Sequence, residues 1–162
     1  MTLDPYNLHR FIEAQEGVYP QALEELQDGR KRSHWMWYIL PQLAGLGRSY
    51  NSNYYGISGL KEAKSYLEHP VLGPRLREVS ETILSLPTDN AAEVFGGIDS
   101  MKLRSSMTLF DLVSPKDTFA RVLEKYFSGC PENHTISILQ RNNEPFALPR
   151  QFMSLLPRVV VC

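Results

Sequence analysis

Apolar residues recur along most of this chain at intervals of three and four, the spacing that lines one face of an α-helix. No stretch sustains the alternation of a half-buried strand. Asp4-Pro5 supplies an N-cap followed by proline at a first helical position, and Leu8, Phe11, Ile12 and Gln15 continue the spacing to about Glu16. Pro20 opens a second helix with Ala22, Leu23 and Leu26 inward, and Gly29 ends it. Ser58 is placed to cap a helix carrying Leu60, Ala63 and Leu67 that stops at His69-Pro70. A longer one follows, with Leu72, Leu76, Val79, Ile83 and Leu86 toward the core. "DNAAEVFGG" reads as a short helix closed by Gly96-Gly97. Asp99 or Ser100 then caps a helix through Val113, Lys116 to Phe127 forms another, and Asn133 caps a last one to about Gln140. The final "RVVVC" either adds a small strand or packs as a tail. The pattern predicts an all-α fold: a compact multihelical single domain of about seven to nine short helices over residues 1–140, with 141–162 as a C-terminal tail packing on it or trailing from it.

One stretch departs from amphipathic spacing. In "GRKRSHWMWYILPQLAGLGRSY", residues 29–50, the cations Arg30, Lys31 and Arg32 run straight into an apolar series. Ser33 can cap a short helix from His34 to Leu40, which is apolar on every face and therefore buried all round, before Pro41 stops it. A membrane span would need about 20 apolar residues, far more than are present. "QLAGLGRSYNSNYYGIS" reads as a long loop, and such loops inside compact domains are commonly functional.

Composition narrows the function classes. The chain has 162 residues, 43% of them hydrophobic, enough for one domain with a true core. Seventeen Lys and Arg against eighteen Asp and Glu leave a net charge of -1, which removes the footprint of a duplex-DNA binder. The beginning of the chain shows no basic segment leading into an apolar one, so the expectation is a soluble, cytoplasmic protein without membrane contact. Two cysteines, Cys130 and Cys162, form neither a disulfide framework nor a zinc-ligand spacing and are expected as free thiols. No metal or cofactor is implied, and the oligomeric state is left open.

Three motifs, "GRKRSHWMWYILPQLAGLGRS", "YYGISGLKEAKSYLEHPVLGPRL" and "KLRSSMTLF" followed by F-x-x-V-L-x-K-Y-F-x-G, resemble a widespread bacterial and fungal family of small helical proteins of unknown function, often mislabelled as calpastatin. The resemblance covers about Leu8 to Leu139 and implies a single multihelical domain with no established activity. The calpastatin label has no weight, since that inhibitor is a disordered repeat protein and this chain is neither.

The candidate chemistry lies where basic residues meet buried helices. Cations are disfavoured at a helix N-terminus, where the macrodipole is positive and N–H groups point outward. Arg32 approaches the start of the His34 helix, and Lys102 and Arg104 lie early in the apolar helix of "DSMKLRSSMTLFDLV". A phosphate or carboxylate bound between the two helix starts would resolve both anomalies. Ser105 shares the side of Lys102, and Arg48, Ser49 and Tyr55 add a cation, a hydroxyl and a flat ring that could close over a nucleobase or sugar. His34 and Trp35 complete the candidate ligand-binding set, and Arg32, Arg48, Lys102 and Arg104 are expected to converge in one cleft with Trp35 or Tyr55 lining one wall. The structural alternatives are that Asp99, Asp111 or Glu93 pairs these cations internally, that the tryptophans and His34 serve the core, and that the cations point apart, leaving an interaction module.

The expectation for function is a small anionic, phosphorylated or nucleotide-like ligand. D-S-M-K-L-R-S-S-M…F-x-x-V-L-x-K-Y-F-S-G also resembles the lysine-containing helical segment of the NADAR (YbiA-like) family. That resemblance implies an N-glycosidase acting on ADP-ribosylated nucleotides or bases, although that family's glutamate-aromatic motif is absent near the first buried helix. Alternatives from other classes are a non-catalytic protein-interaction module and, against the charge balance, a single-strand nucleic-acid binder.

Overall fold

The computed structural model describes residues 3–144, whose regular structure is nine helices and one parallel bridge between Leu43 and Ile57. The helices are α1 His9–Gln15, α2 Tyr19–Gln27, α3 Met36–Ile39, α4 Tyr50–Tyr54, α5 Leu60–Glu68, α6 Leu72–Ser85, α7 Ala91–Val113, α8 Thr118–Phe127 and α9 Asn133–Arg141. Helix α7 is the buried axis: Leu103, Met107, Leu109 and Phe110 are fully enclosed because α5, α8 and α9 pack around it. Helix α6 packs on α2, α5 and α8, and α1 on α3. An aromatic series runs through this core from Tyr55 to Phe11, Tyr66, Phe110 and Phe119, with successive centroids 5.9, 5.1, 5.5 and 5.8 Å apart in tilted and edge-on pairs.

The all-α expectation holds, and the departures from it have local causes. Helix α1 starts at His9, because Asn7 is left-handed at φ 52° and the Asp4 carboxylate reaches past it to the N–H groups of Leu8 and His9 at 2.8 and 3.0 Å. Helix α3 spans four residues instead of His34 to Leu40. Gly59, not Ser58, sits at the N-cap of α5, while the Ser58 N–H donates to Glu62. The two helices expected on either side of Gly96-Gly97 abut as one element bent at Gly96, whose φ of 77° and ψ of 172° interrupt the helix. Glu132, not Asn133, caps α9. The long loop contains a helix of its own, α4, capped by Ser49, which accepts from Ser52 N–H at 3.0 Å.

The expected strand "RVVVC" and nearly all of the tail lie outside the described residues. Cys130 is disulfide-bonded rather than the free thiol expected, and Cys162 is not among the described residues. No helix among those residues is long and apolar enough to cross a membrane.

Candidate functional site

The negative group that the sequence demanded at the start of α3 is supplied from within. Glu25, on α2 and only 4% exposed, accepts from the N–H groups of Arg32 and Ser33 at 2.6 and 2.9 Å, from Trp35 Nε1 at 3.1 Å and from the Ser33 hydroxyl. Burial pushes its carboxyl up, but the hydrogen bonds from Ser33, the two backbone donors and Trp35 outweigh burial and bring it down to about 2. An ionised side chain thus occupies the first expected anion site, and Trp35, 1% exposed, is its indole partner in the core.

A second carboxylate answers the cations beyond it. Asp99 on α7 bridges Lys31 Nζ at 2.8 Å and Lys102 Nζ at 3.2 Å. Burial again acts upward on the Asp99 carboxyl, and the two ammonium groups hold it below the ordinary carboxylate range. Each lysine also rests on an indole: Lys31 Nζ lies 4.9 Å from the Trp35 ring centre and Lys102 Nζ lies 4.0 Å from that of Trp37. Two ammonium groups share one carboxylate, so the trio retains one positive charge, and Lys102 carries it to the wall of a cleft.

That cleft, about 300 Å³ in volume, lies between the 42–56 loop, the first part of α7 after its bend and the start of α9. Trp37, Leu43, Leu46 and Tyr55 form its apolar side and Lys102, Ser105 and Gln42 its polar side. Gln42 is buried, and its Nε2 donor has no hydrogen-bond partner among the described residues. Ser105 Oγ donates to Met101 O at 3.1 Å, leaving its lone pairs toward an acceptor role. Glu132, at the margin, already receives Thr135 N–H and hydroxyl on one oxygen and the N–H and imidazole Nδ1 of His134 on the other. Burial, with the neighbouring phenols adding to it, pushes the Tyr55 hydroxyl up and keeps it neutral.

Of the residues expected at the site, the structure brings together Tyr55, Lys102 and Ser105 and separates the others. The single cleft of four cations does not form. Arg32 is exposed and pairs with Asp28 at 3.2 Å. Arg48 is exposed, and Ser49 is consumed as the cap of α4. Arg104 turns toward α8, donating Nε to Cys130 O at 3.0 Å with its guanidinium 5.6 Å from the Phe127 ring. His34 is exposed before α3, its carbonyl accepting the Tyr38 hydroxyl.

Trp35, the tryptophan expected at the site, belongs instead to the core, and the cleft wall is taken by Trp37, which the sequence did not single out. Sequence reasoning missed Gln42, whose only signal was a lone amide inside an apolar run after Pro41. Asp99 is the carboxylate that the internal-pairing alternative named first, while Glu25, the partner at the start of α3, was not singled out.

The family model for a protein of unknown function, DUF1810, matches residues 5–139. Among solved structures, the conserved hypothetical protein Rv1873 from Mycobacterium tuberculosis is similar at 45% sequence identity and a TM-score of 0.83, with 85% of this chain and 99% of that chain covered. No curated protein matches the chain. An uncharacterised helical family is what the sequence motifs implied, and with five sixths of its length inside the match, this chain belongs to the DUF1810 family.

Proposed function

We propose that the cleft binds a small anionic ligand of phosphorylated or nucleotide-like kind, with its charge on Lys102, an acceptor oxygen on the Gln42 amide and its less polar body along Leu43, Leu46 and Tyr55. The Gln42 amide carries this reading: a buried donor that nothing in the described protein receives, in the wall of a cavity that also holds a cation. A buried donor left unpaired costs about 1–3 kcal/mol, and a ligand oxygen would recover it. The unbalanced charge of the Lys31, Asp99 and Lys102 trio supports the same sign of ligand. The environment favours binding over glycosidic hydrolysis, since Asp99 is held ionised between two ammonium groups and Glu132 has both oxygens engaged in capping α9.

Inorganic phosphate and ribose 5-phosphate are expected to raise the Tm of the protein, an effect that weakens with added salt and vanishes in Lys102→Met. Gln42→Leu is expected to abolish the same response while itself raising the Tm, because an apolar side chain removes about 1 kcal/mol of unpaired-donor cost. Equal shifts in the parent and both variants would reduce the effect to general salt stabilisation and sink the reading. Ile98 and Met101, 77% and 49% exposed at the margin of the cleft, support a second reading as a protein-interaction module. An apolar peptide that binds there with no competition from phosphate would favour it.

A further inference from the structure

The cleft borders, through Tyr55, an exposed aromatic surface on α4. Tyr50 and Tyr54, one turn apart on α4, are stacked with ring centres 5.7 Å apart and planes 8° from parallel, yet they are 75% and 41% exposed. Tyr54 meets Tyr55 edge-on at 4.9 Å, and Tyr55 lines the cleft. The rings are therefore in contact from the cleft wall to solvent, with a nearly perpendicular turn of plane between Tyr55 and Tyr54. Arg48, exposed two residues before Tyr50, places a cation at the foot of the same short helix.

This surface is held by buried polar groups. Arg10, with a side chain 6% exposed, donates Nε to Tyr54 O at 2.8 Å and Nη2 to Gly56 O at 3.1 Å, while the same Nη2 pairs with the buried Glu62 at 2.7 Å. At Gly56 a Cβ would come within 2.7 Å of Ala44 Cβ and 2.8 Å of Ser52 O, so the loop closes this tightly only with glycine. A buried ion pair carries a desolvation cost, and here it fixes the end of a helix that presents two tyrosines to water. Fixed, solvent-facing aromatic planes lower the ordering cost of stacking a flat ligand.

We infer that α4 is the base-stacking half of the ligand site, so that the anion held at Lys102 is the phosphate of a nucleotide whose base lies on the Tyr50 and Tyr54 platform. The inference rests on the anion-binding reading of the cleft and adds the chemical class of the ligand. Stacking of a base on an aromatic side chain contributes about 5- to 150-fold in affinity. Ribose 5-phosphate shares the phosphate and sugar of AMP and lacks the base, so the pair isolates the platform.

Calorimetric titration of the full chain is expected to show AMP binding about 5- to 150-fold more tightly than ribose 5-phosphate. Tyr50→Ala should bring that ratio close to one and leave the ribose 5-phosphate affinity unchanged. Tyr50 is exposed enough for this variant to keep its fold, and Tyr54→Ala provides a second test of the same ratio. Equal affinities in the parent, or a ratio retained in both variants, would overturn the platform while leaving the anion site standing. If neither compound binds the parent, the anion reading fails and the platform assignment fails with it. A single-stranded oligonucleotide that binds where AMP does not would replace the nucleotide by a strand and equally overturn the proposal.

Discussion

Glu25→Ala is expected to destabilise the protein by about 4 kcal/mol, read as a fall in the midpoint of denaturant unfolding without loss of the cooperative transition. The carboxylate receives two backbone N–H groups, an indole and a hydroxyl, and alanine would leave the buried indole and the two partly buried N–H groups without this acceptor. Its acidity gives an independent check. The folded-state value near 2 lies below the ordinary 4.5, so the contribution is complete above pH 4.5 and is lost as pH falls toward the folded value. The linkage amounts to about 3 kcal/mol. Parent and Glu25→Ala should therefore converge in stability as the solution is acidified. An unchanged gap between them at low pH would show that Glu25 is not the ionised anchor of the α3 entrance.

Asp111 should act in the opposite direction. It lies on α7, 1% exposed, and neither carboxylate oxygen has a hydrogen-bond partner among the described residues. Burial, and to a smaller degree the charge of Asp117, pushes it up to about 6 from an ordinary 3.8. With the folded value raised, stability is fullest below the unfolded value and declines as pH rises through the folded one, by about 3 kcal/mol in total. Asp111→Asn carries no titrating group there, so its stability relative to the parent should grow by that amount between about pH 4 and pH 7. A difference that stays flat with pH would mean that Asp111 finds a partner in solution. From these two groups alone, the parent is most stable near the pH where Glu25 is already ionised and Asp111 is still protonated.

These two carboxyls also show what the sequence could and could not reveal. Helical spacing exposed most of the helices, because a buried stripe repeats at 3.6 residues whatever the stripe faces: Leu72, Leu76, Val79 and Ile83 on α6 are all buried as expected. The basic entrances were also legible as electrostatic anomalies. Of what answered them, Asp99 was legible as one of three candidate partners, whereas Glu25 was not, since it precedes the α3 entrance by an intervening turn. Of the two readings the sequence left open, internal pairing holds for Lys31 and Lys102, and convergence of four arginines and lysines does not. Helix α4 was missed because a loop-like composition of Ser, Asn and Gly conceals a single turn stabilised by tertiary hydrogen bonds from Arg10 rather than by propensity. Gln42 could be singled out only by its surroundings, since the absence of a partner is a property of the fold and not of the residue.

The parallel bridge between Leu43 and Ile57, closed by Ala44 N–H to Ile57 O and Ile57 N–H to Gln42 O at 2.8 Å each, returns the chain to the place where it left the core. A segment that begins and ends at one point transmits little of a change at its tip to the helices that carry it. Lengthening it adds only a slowly growing closure cost, about 0.6 kcal/mol per doubling. Substitutions at Arg48, Tyr50 and Tyr54 are therefore expected to leave the helical scaffold in place.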